Sequence, residues 1–368
     1  MNAAPIGRDE VLARFGEHDL RALTLELAHG GTLVVSERGG RLLPFFADQR
    51  SALWLSPALA DAERFAAFLD RDDWNLGGER IWIAPEIQFT VRDRRDFWGS
   101  YALPKAMDPG TWTLESLGER GCALRQELEL RAHNLATGVK RLAVERRVRA
   151  VPDPLERARS DLGDLSEVAF HGFEHDVVLR DLGPTEIGAQ AWNLIQLEPG
   201  GVVVLPTVAP AQQRDYFEPV GERQRLGPDC VELSITGEHR YKVGYRARHH
   251  LGRLAYARRL DSRAACLIVR SFFNNPSSRY LEEPADRPGE HGDSVHVYND
   301  DGNAGGFGEI ECYGQALGGR SGRTSSADTT VLWIYAGPVG AIADVARALL
   351  GEVAARRVAT RLGASSRG

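Results

Sequence analysis

From residue 74 almost to its end, the chain is a succession of short segments in which apolar and polar residues alternate. Stretches 112–117, 122–132, 142–150, 167–179, 186–197 and 202–206 follow this pattern. So do 231–235, 241–246, 253–260, 265–273, 294–298, 308–313 and 329–335. A period of two sends successive side chains to opposite faces of a strand. Many short strands without intervening helices favour antiparallel sheets packed face to face. The expected fold is therefore mainly β, a large antiparallel sandwich with a few short peripheral helices. Upstream, 8–15 reads as a short helix, and 32–36, 42–47 and 53–55 read as strands. Ser56-Pro57 is a helix start, with a hydroxyl cap and proline in the first turn, and predicts a helix over 57–70. Near the end, Ile342, Val345, Ala346, Leu349, Leu350 and Val353 recur at helical spacing. They predict an amphipathic helix within 339–362, docked on the sheets. The polar loops 152–163 and 274–292 separate stretches of the same alternation. One domain over 1–368 is expected, with a lead-in at 1–30 and a C-terminal helix and tail at 339–368.

Charge excludes some functions. The net charge of −6 comes from 45 basic and 51 acidic residues mixed along the sequence, which leaves no basic stripe for nucleic acid. The basic run 240–259 is interleaved with Tyr241, Val243, Tyr245, Leu251, Leu254 and Tyr256. It reads as a hairpin with a solvated charged face and His249-His250 exposed at its tip. There is no secretory leader pattern and no long apolar run, so no membrane partner is expected and the cytoplasm is the default location. Cys122, Cys230, Cys266 and Cys312 are widely spaced in strand-like contexts and read as reduced core thiols. No Gly-x-Ser-x-Gly, P-loop, dinucleotide fingerprint or His-Glu-x-x-His occurs, and neither cofactor nor metal is expected.

Two stretches carry chemistry. In 77–86, a glycine turn opens a strand on which Arg80, Trp82, Ala84 and Glu86 share one face while Ile81, Ile83 and Ile87 take the other. A cation, a flat indole and an anion side by side suit a sugar, which offers C–H faces for stacking and hydroxyls for charged partners. An outer-face ion pair beside a half-buried Trp fits the same pattern. In 306–314, Glu309, Glu311 and Tyr313 share a face. Carboxylates two residues apart on a strand lie ~6.5 to 7 Å apart. Like charges that close raise one pKa unless a cation intervenes, which makes a general acid or base. A guarded edge strand is the alternative. Just upstream, Ser294, His296 and Tyr298 share a face, and Asn299-Asp300-Asp301-Gly302 forms a turn. Lys242 is followed on its own face by Gly244, a gap through which a ligand could approach. Trp192 alternates with apolar neighbours and suits a core position or a sugar platform. His171 and His175 share a strand face ~13 Å apart, too far to hold one ion. One of them could still donate a proton to a sugar ring oxygen.

Taken in order, 77–86, 192–201 leading to Leu205-Pro206, 241–245 with 254–256, and 298–300 with 307–311 make the chain similar to a known superfamily. It resembles the galactose mutarotase-like proteins, a large β-supersandwich group that includes the aldose 1-epimerases, and within it the bacterial members of unassigned activity. The resemblance implies a saccharide on a concave sheet face, a glutamate acting as base on the anomeric hydroxyl, a histidine as acid toward the ring oxygen, and an assisting arginine. By position, Arg80 stands for that arginine and Glu309 or Glu311 for the base. No Asn-His-x-Tyr-Phe-type segment occurs, so His171 is carried over as the acid by position alone. Trp82, Glu86, Trp192, Lys242 and Asn299 complete the expected sugar contacts. An aldose 1-epimerase-like enzyme, a non-catalytic carbohydrate-binding protein and a glycosidase or lyase with paired carboxylates all remain compatible with these residues.

Overall fold

Alternation at period two produces nineteen strands among the described residues. The structure, a computed structural model, describes residues 6–159, 162, 164–183 and 186–364. Parts of the expected lead-in and tail (1–5 and 365–368) and three residues of loop 152–163 lie outside the described residues. In chain order the first strands are β1 (Ala22–Glu26), β2 (Thr32–Ser36), β3 (Arg41–Phe45), β4 (Glu79–Ala84), β5 (Thr113–Ser116) and β6 (Cys122–Ala132). Next come β7 (Gly138–Ala150), β8 (Ala169–Asp181), β9 (Gln190–Leu197), β10 (Gly201–Pro206), β11 (Gln213–Asp215), β12 (Gln224–Leu226) and β13 (Cys230–Ile235). The last are β14 (Tyr241–Arg246), β15 (Arg253–Arg259), β16 (Ala264–Phe272), β17 (Asp293–Asn299), β18 (Gly308–Tyr313) and β19 (Ser325–Pro338). They form two antiparallel sheets, ordered β1-β2-β3-β4-β9-β18-β17-β14-β11 and β12-β13-β10-β15-β16-β19-β8-β7-β6-β5.

The sheets face each other across the main core. Ile81 and Ile83 of β4, Ile195 of β9, Val295 and Val297 of β17 and Ile310 of β18 meet Leu124, Val144, Phe173, Val177, Ile268 and Leu332 of the second sheet. The outer face of that second sheet is covered by α5 (Val339–Leu350) and α6 (Glu352–Leu362), whose Ile342, Val345, Leu349 and Val358 pack on Val204, Ala255, Leu267 and Val269. On the first sheet, α1 (Arg8–Glu17) and α2 (Ala62–Asp70) cover the outer face of β2 and β3 through Val11, Phe15, Phe65 and Phe68. The rest of that outer face, on β4, β9, β18, β17 and β14, is roofed by loops and short helical turns.

Several expected elements differ in detail. The helix expected over 57–70 is a 3-10 turn, Pro57–Ala60, followed by α2, because Asp61 caps a new start by accepting from Arg64 N at 2.9 Å. The C-terminal segment divides into α5 and α6 at Gly351, whose φ of 86° ends the first helix. Residues 53–55 form no strand, only a bridge from Leu55 to Gly77. The run 240–259 is not a hairpin. β14 pairs with β11 and β17 in the first sheet, whereas β15 pairs with β10 and β16 in the second. The chain crosses between sheets at 247–252, which buries His250 against Ser294 (Nε2 to Oγ 3.0 Å). Among the described residues, no helix is long and apolar enough to cross a membrane.

Candidate functional site

Strand register assembles the polar rows. Across β4, β9, β18, β17 and β14, the residues Arg80, Leu194, Glu311, His296 and Gly244 stand opposite one another. One step along, Gln196, Glu309, Tyr298 and Lys242 form the neighbouring row, and Trp82, Trp192 and Tyr313 form the row on the other side. Because alternate residues share a face, all of these side chains belong to one side of the sheet. The entry to β4 depends on Gly78. It sits at φ 74°, and a Cβ there would lie 2.6 Å from the Leu42 carbonyl.

Charged pairs run diagonally between the rows. Arg80 donates to Glu309 Oε1 at 2.8 Å, with its guanidinium 4.2 Å from the ring centre of Trp82 and 5.1 Å from that of Trp74. Lys242 Nζ lies 2.8 Å from Glu86 Oε2 and 2.9 Å from Glu311 Oε2, and 4.4 Å from the Trp192 ring centre. Glu311 Oε2 also accepts from Trp192 Nε1 (2.9 Å) and from the Tyr313 hydroxyl (3.1 Å). Each of Glu86, Glu309 and Glu311 thus uses one oxygen for anchoring. Their second oxygens have no hydrogen-bond partner among the described residues. None of them is sealed from solvent, since all three side chains line the same cavity.

The second layer fixes the first. Trp82 Nε1 donates to Asp108 Oδ2 at 2.8 Å, which also accepts from Arg41 at 2.5 Å. Glu86 was expected on the strand, but β4 stops at Ala84 and Glu86 opens the helical turn α3 (Glu86–Phe89). Glu282 holds that turn by accepting from the backbone N–H of Glu86 at 2.5 Å, and so aims Glu86 back at Lys242. Asp300 accepts from the N–H groups of Gly302, Ala304 and Gly306 at 2.9 to 3.1 Å, tying down the glycine-rich loop that walls the cavity.

The cavity has a volume of about 220 Å³. Drug-sized ligands occupy roughly 300–1,000 Å³, so this space suits a single small ring. Trp82 and Trp192 are in its floor, and Trp74, Tyr101, Phe217 and Phe307 are in its walls. Trp98, in the turn α4 (Phe97–Ser100), stands at its mouth.

The lining holds three cations, Arg80, Arg240 and Lys242, against four carboxylates, Glu86, Asp300, Glu309 and Glu311. Excess negative charge out of water favours proton uptake. Burial pushes Glu309 up to about 7, with Arg80 opposing and Glu311 reinforcing the rise. Glu86 is raised by burial and by Glu311, against the pull of Lys242. Glu311 goes the other way. Burial would raise it, but Lys242 and the contact with His296 hold it well below the usual carboxylate range. Lys242 stays protonated, since Glu311 and Glu86 outweigh the effect of burial. The Tyr101 phenol is pushed up by burial and by the nearby Glu86 carboxylate, which keeps it a donor.

Of the sequence candidates, Arg80, Trp82, Glu86, Trp192, Lys242, Glu309 and Glu311 come together on this cavity. His171 does not. It stands on β8 in the other sheet, its Nδ1 bonded to the Ala28 carbonyl (2.8 Å) and its ring against Phe46. Asn299 is also elsewhere, because it falls on the opposite face of β17 from Tyr298. There its Oδ1 accepts from Thr236 N and Gly237 N at 2.8 and 3.0 Å. The gap at Gly244 is no ligand entry: a Cβ there would meet His296 Cδ2 at 2.5 Å, so the imidazole fills it. Tyr101, Phe217 and the positioning residue Glu282 lie in loops without periodicity and carried no sequence signal, whereas Arg240 opens the basic run 240–259, expected to face solvent, and instead lines the cavity. His296 carried a weak one, its place on a strand face shared with Ser294 and Tyr298. Among the described residues, no group of three or more His, Cys, Asp or Glu is placed to hold a metal ion.

A family model described as a family of unknown function, DUF6786, matches residues 54–358. The chain belongs to this family. No curated protein matches the sequence. Among solved structures, the DUF6786 chain is similar to a candidate aldose 1-epimerase from Escherichia coli K12 at 13% identity and TM-score 0.42, covering 86% of this chain and 99% of the other. It is also similar to a galactose mutarotase related enzyme from Lactobacillus acidophilus at 8% identity and TM-score 0.43, covering 85% and 97%. A third is 4-alpha-glucanotransferase from Thermococcus litoralis, at 10% identity and TM-score 0.32, covering 85% and 41%.

Proposed function

We propose that the cavity binds one neutral sugar ring and moves protons at its anomeric centre, in an aldose 1-epimerase-like isomerisation. The observation that carries this reading is the pair Glu309 and Glu311. They share one strand face, are anchored by different cations, lean toward opposite protonation states, and each leave one oxygen open to the cavity. Two carboxyl groups whose environments separate their protonation define an acid and a base. Glu311, ionised, accepts the proton of the anomeric hydroxyl. Glu309, protonated, delivers one to the ring oxygen as the bond from C1 to that oxygen breaks. The open-chain aldehyde then rotates, and reversal of both transfers closes the opposite anomer. Arg80 and Lys242 position the two carboxyl groups, and the indoles of Trp82 and Trp192 offer apolar surface to C–H faces. Surplus carboxylates argue against phosphorylated or uronic sugars. The resemblance of 77–86 and 307–311 to the galactose mutarotase-like superfamily supports a saccharide ligand.

Polarimetry of freshly dissolved aldoses tests the proposal. At least one should reach anomeric equilibrium faster with the protein than without, and spontaneous rates throughout would remove the isomerase. A second reading rests on Lys242, which touches both Glu86 and Glu311. One bridging ammonium keeps those two carboxylates close together, and retaining glycosidases also use a close pair, ~5–5.5 Å apart. Release of nitrophenol from nitrophenyl glycosides, lost in Glu86→Gln, would favour it.

A further inference from the structure

We infer that the ligand is longer than one ring, and that Trp98 at the cavity mouth is the platform for a second sugar unit of a neutral disaccharide or longer glycan. The inference rests on the saccharide reading above and extends it from a ring to a substrate class. A cavity of about 220 Å³ takes one ring, so anything attached to that ring must leave through the mouth. Trp98 stands there with 50% of its surface exposed, although it also lines the cavity.

An indole that open is usually mobile or pointless, but this one is held. The guanidinium of Arg240 lies 4.3 Å from its ring centre, and Arg240 is itself fixed by Asp301 at 2.6 Å. Phe97 and Phe217 pack against it at 4.8 Å between centroids. The segment that carries it is closed at its base, where Ala102 N donates to the Thr90 carbonyl at 2.7 Å and Arg92 N to the Ser100 carbonyl at 3.3 Å. A rigid aromatic surface continuous with a ring-sized cavity suits stacking of a second pyranose, because little conformational freedom is lost when it binds.

Calorimetric titration with homologous pairs tests the idea: glucose and cellobiose, galactose and galactobiose, mannose and mannobiose, xylose and xylobiose. At least one disaccharide should bind roughly 5- to 10-fold more tightly than its own monosaccharide, the increment expected of one aromatic stack. In Trp98→Ala that ratio should fall to near one, and in Trp98→Phe it should be partly kept, which separates lost stacking from a disturbed turn. A monosaccharide that binds with no gain for its disaccharide, or a gain unchanged in Trp98→Ala, overturns the second unit and leaves the ring site standing. Failure of all eight sugars to bind overturns the saccharide reading and this inference with it.

Discussion

An ammonium sealed between two carboxylates, as Lys242 is between Glu86 and Glu311, stabilises the fold only while all three charges are present. Removing one partner of a buried ion pair typically costs about 3–5 kcal/mol, because the other charge is left unpaired. Lys242→Met should therefore lower stability at neutral pH by about that amount in urea titrations. The deficit should shrink near pH 5, since the orphaned carboxyl groups then take up protons instead of remaining buried anions. A deficit independent of pH would mean that the ammonium is not what holds them. Glu309 makes a different prediction. If it is the proton donor proposed above, it would work only while protonated, and its raised value of about 7 would place the loss of activity on the alkaline side. Turnover should be flat through mildly acidic pH and fall above neutrality. Glu309→Gln should lose on the order of 10²–10⁴-fold in rate and also lose that alkaline limb, while Arg80 keeps an oxygen to bond and ligand affinity changes little. A variant that retains the limb would transfer the donor role to another group, Glu86 or Tyr101.

Elements outside the cavity should affect stability without affecting ligand. The helices α5 and α6 cover the outer face of the second sheet, and none of their residues lines the cavity. Ile342→Ala, at a fully buried position, should cost about 2–5 kcal/mol and leave sugar affinity unchanged; a change in both would mean that the sheets transmit strain. This helix was legible beforehand, because six apolar residues at helical spacing need no distant partner to be recognised. Strands β4, β14 and β18 were legible for the same local reason, and with them Arg80, Lys242, Glu309 and Glu311 on their polar faces. What alternation does not encode is which sheet takes a strand. The run 240–259 has the pattern of a hairpin, yet β14 and β15 join different sheets, because the pairing is decided by β17 and β10, far away in sequence. Glu86 was expected on a strand and reaches the cavity from a helical turn instead, since Glu282, some two hundred residues on, caps that turn. His171 was carried over by position, and position along the chain does not say which sheet a histidine will join. Tyr101, Trp98 and Phe217 come from loops, where no period marks a wall of a cavity.

At the scale of the whole molecule, the two sheets are joined by charge as well as by apolar packing. Glu79, next to Arg80 but on the core face of β4, receives Arg270 at 3.0 Å and contacts His175 Nε2, with Arg146 at 3.8 Å. All four side chains are fully buried, and three of them come from the second sheet. Burial is the main reason His175 is pushed down to about 4, although Glu79 opposes it. Glu79 is held below the usual carboxylate range, because Arg270 and His175 more than offset its burial. The sign follows from linkage. An imidazole whose folded value lies below its ordinary 6.5 stabilises the fold fully above that pH, and the contribution is lost as pH falls toward 4. Glu79 loses its own contribution in the same direction, further into acid. Between pH 6.5 and 4 the His175 contribution should fall by about 3 kcal/mol, seen as a declining urea midpoint. In His175→Gln the neutral-pH stability should drop, since Glu79 and Thr330 lose a hydrogen-bond partner, and the decline over that interval should flatten. An unchanged slope in the variant would place the acid sensitivity elsewhere and leave the contact between the sheets to apolar packing alone.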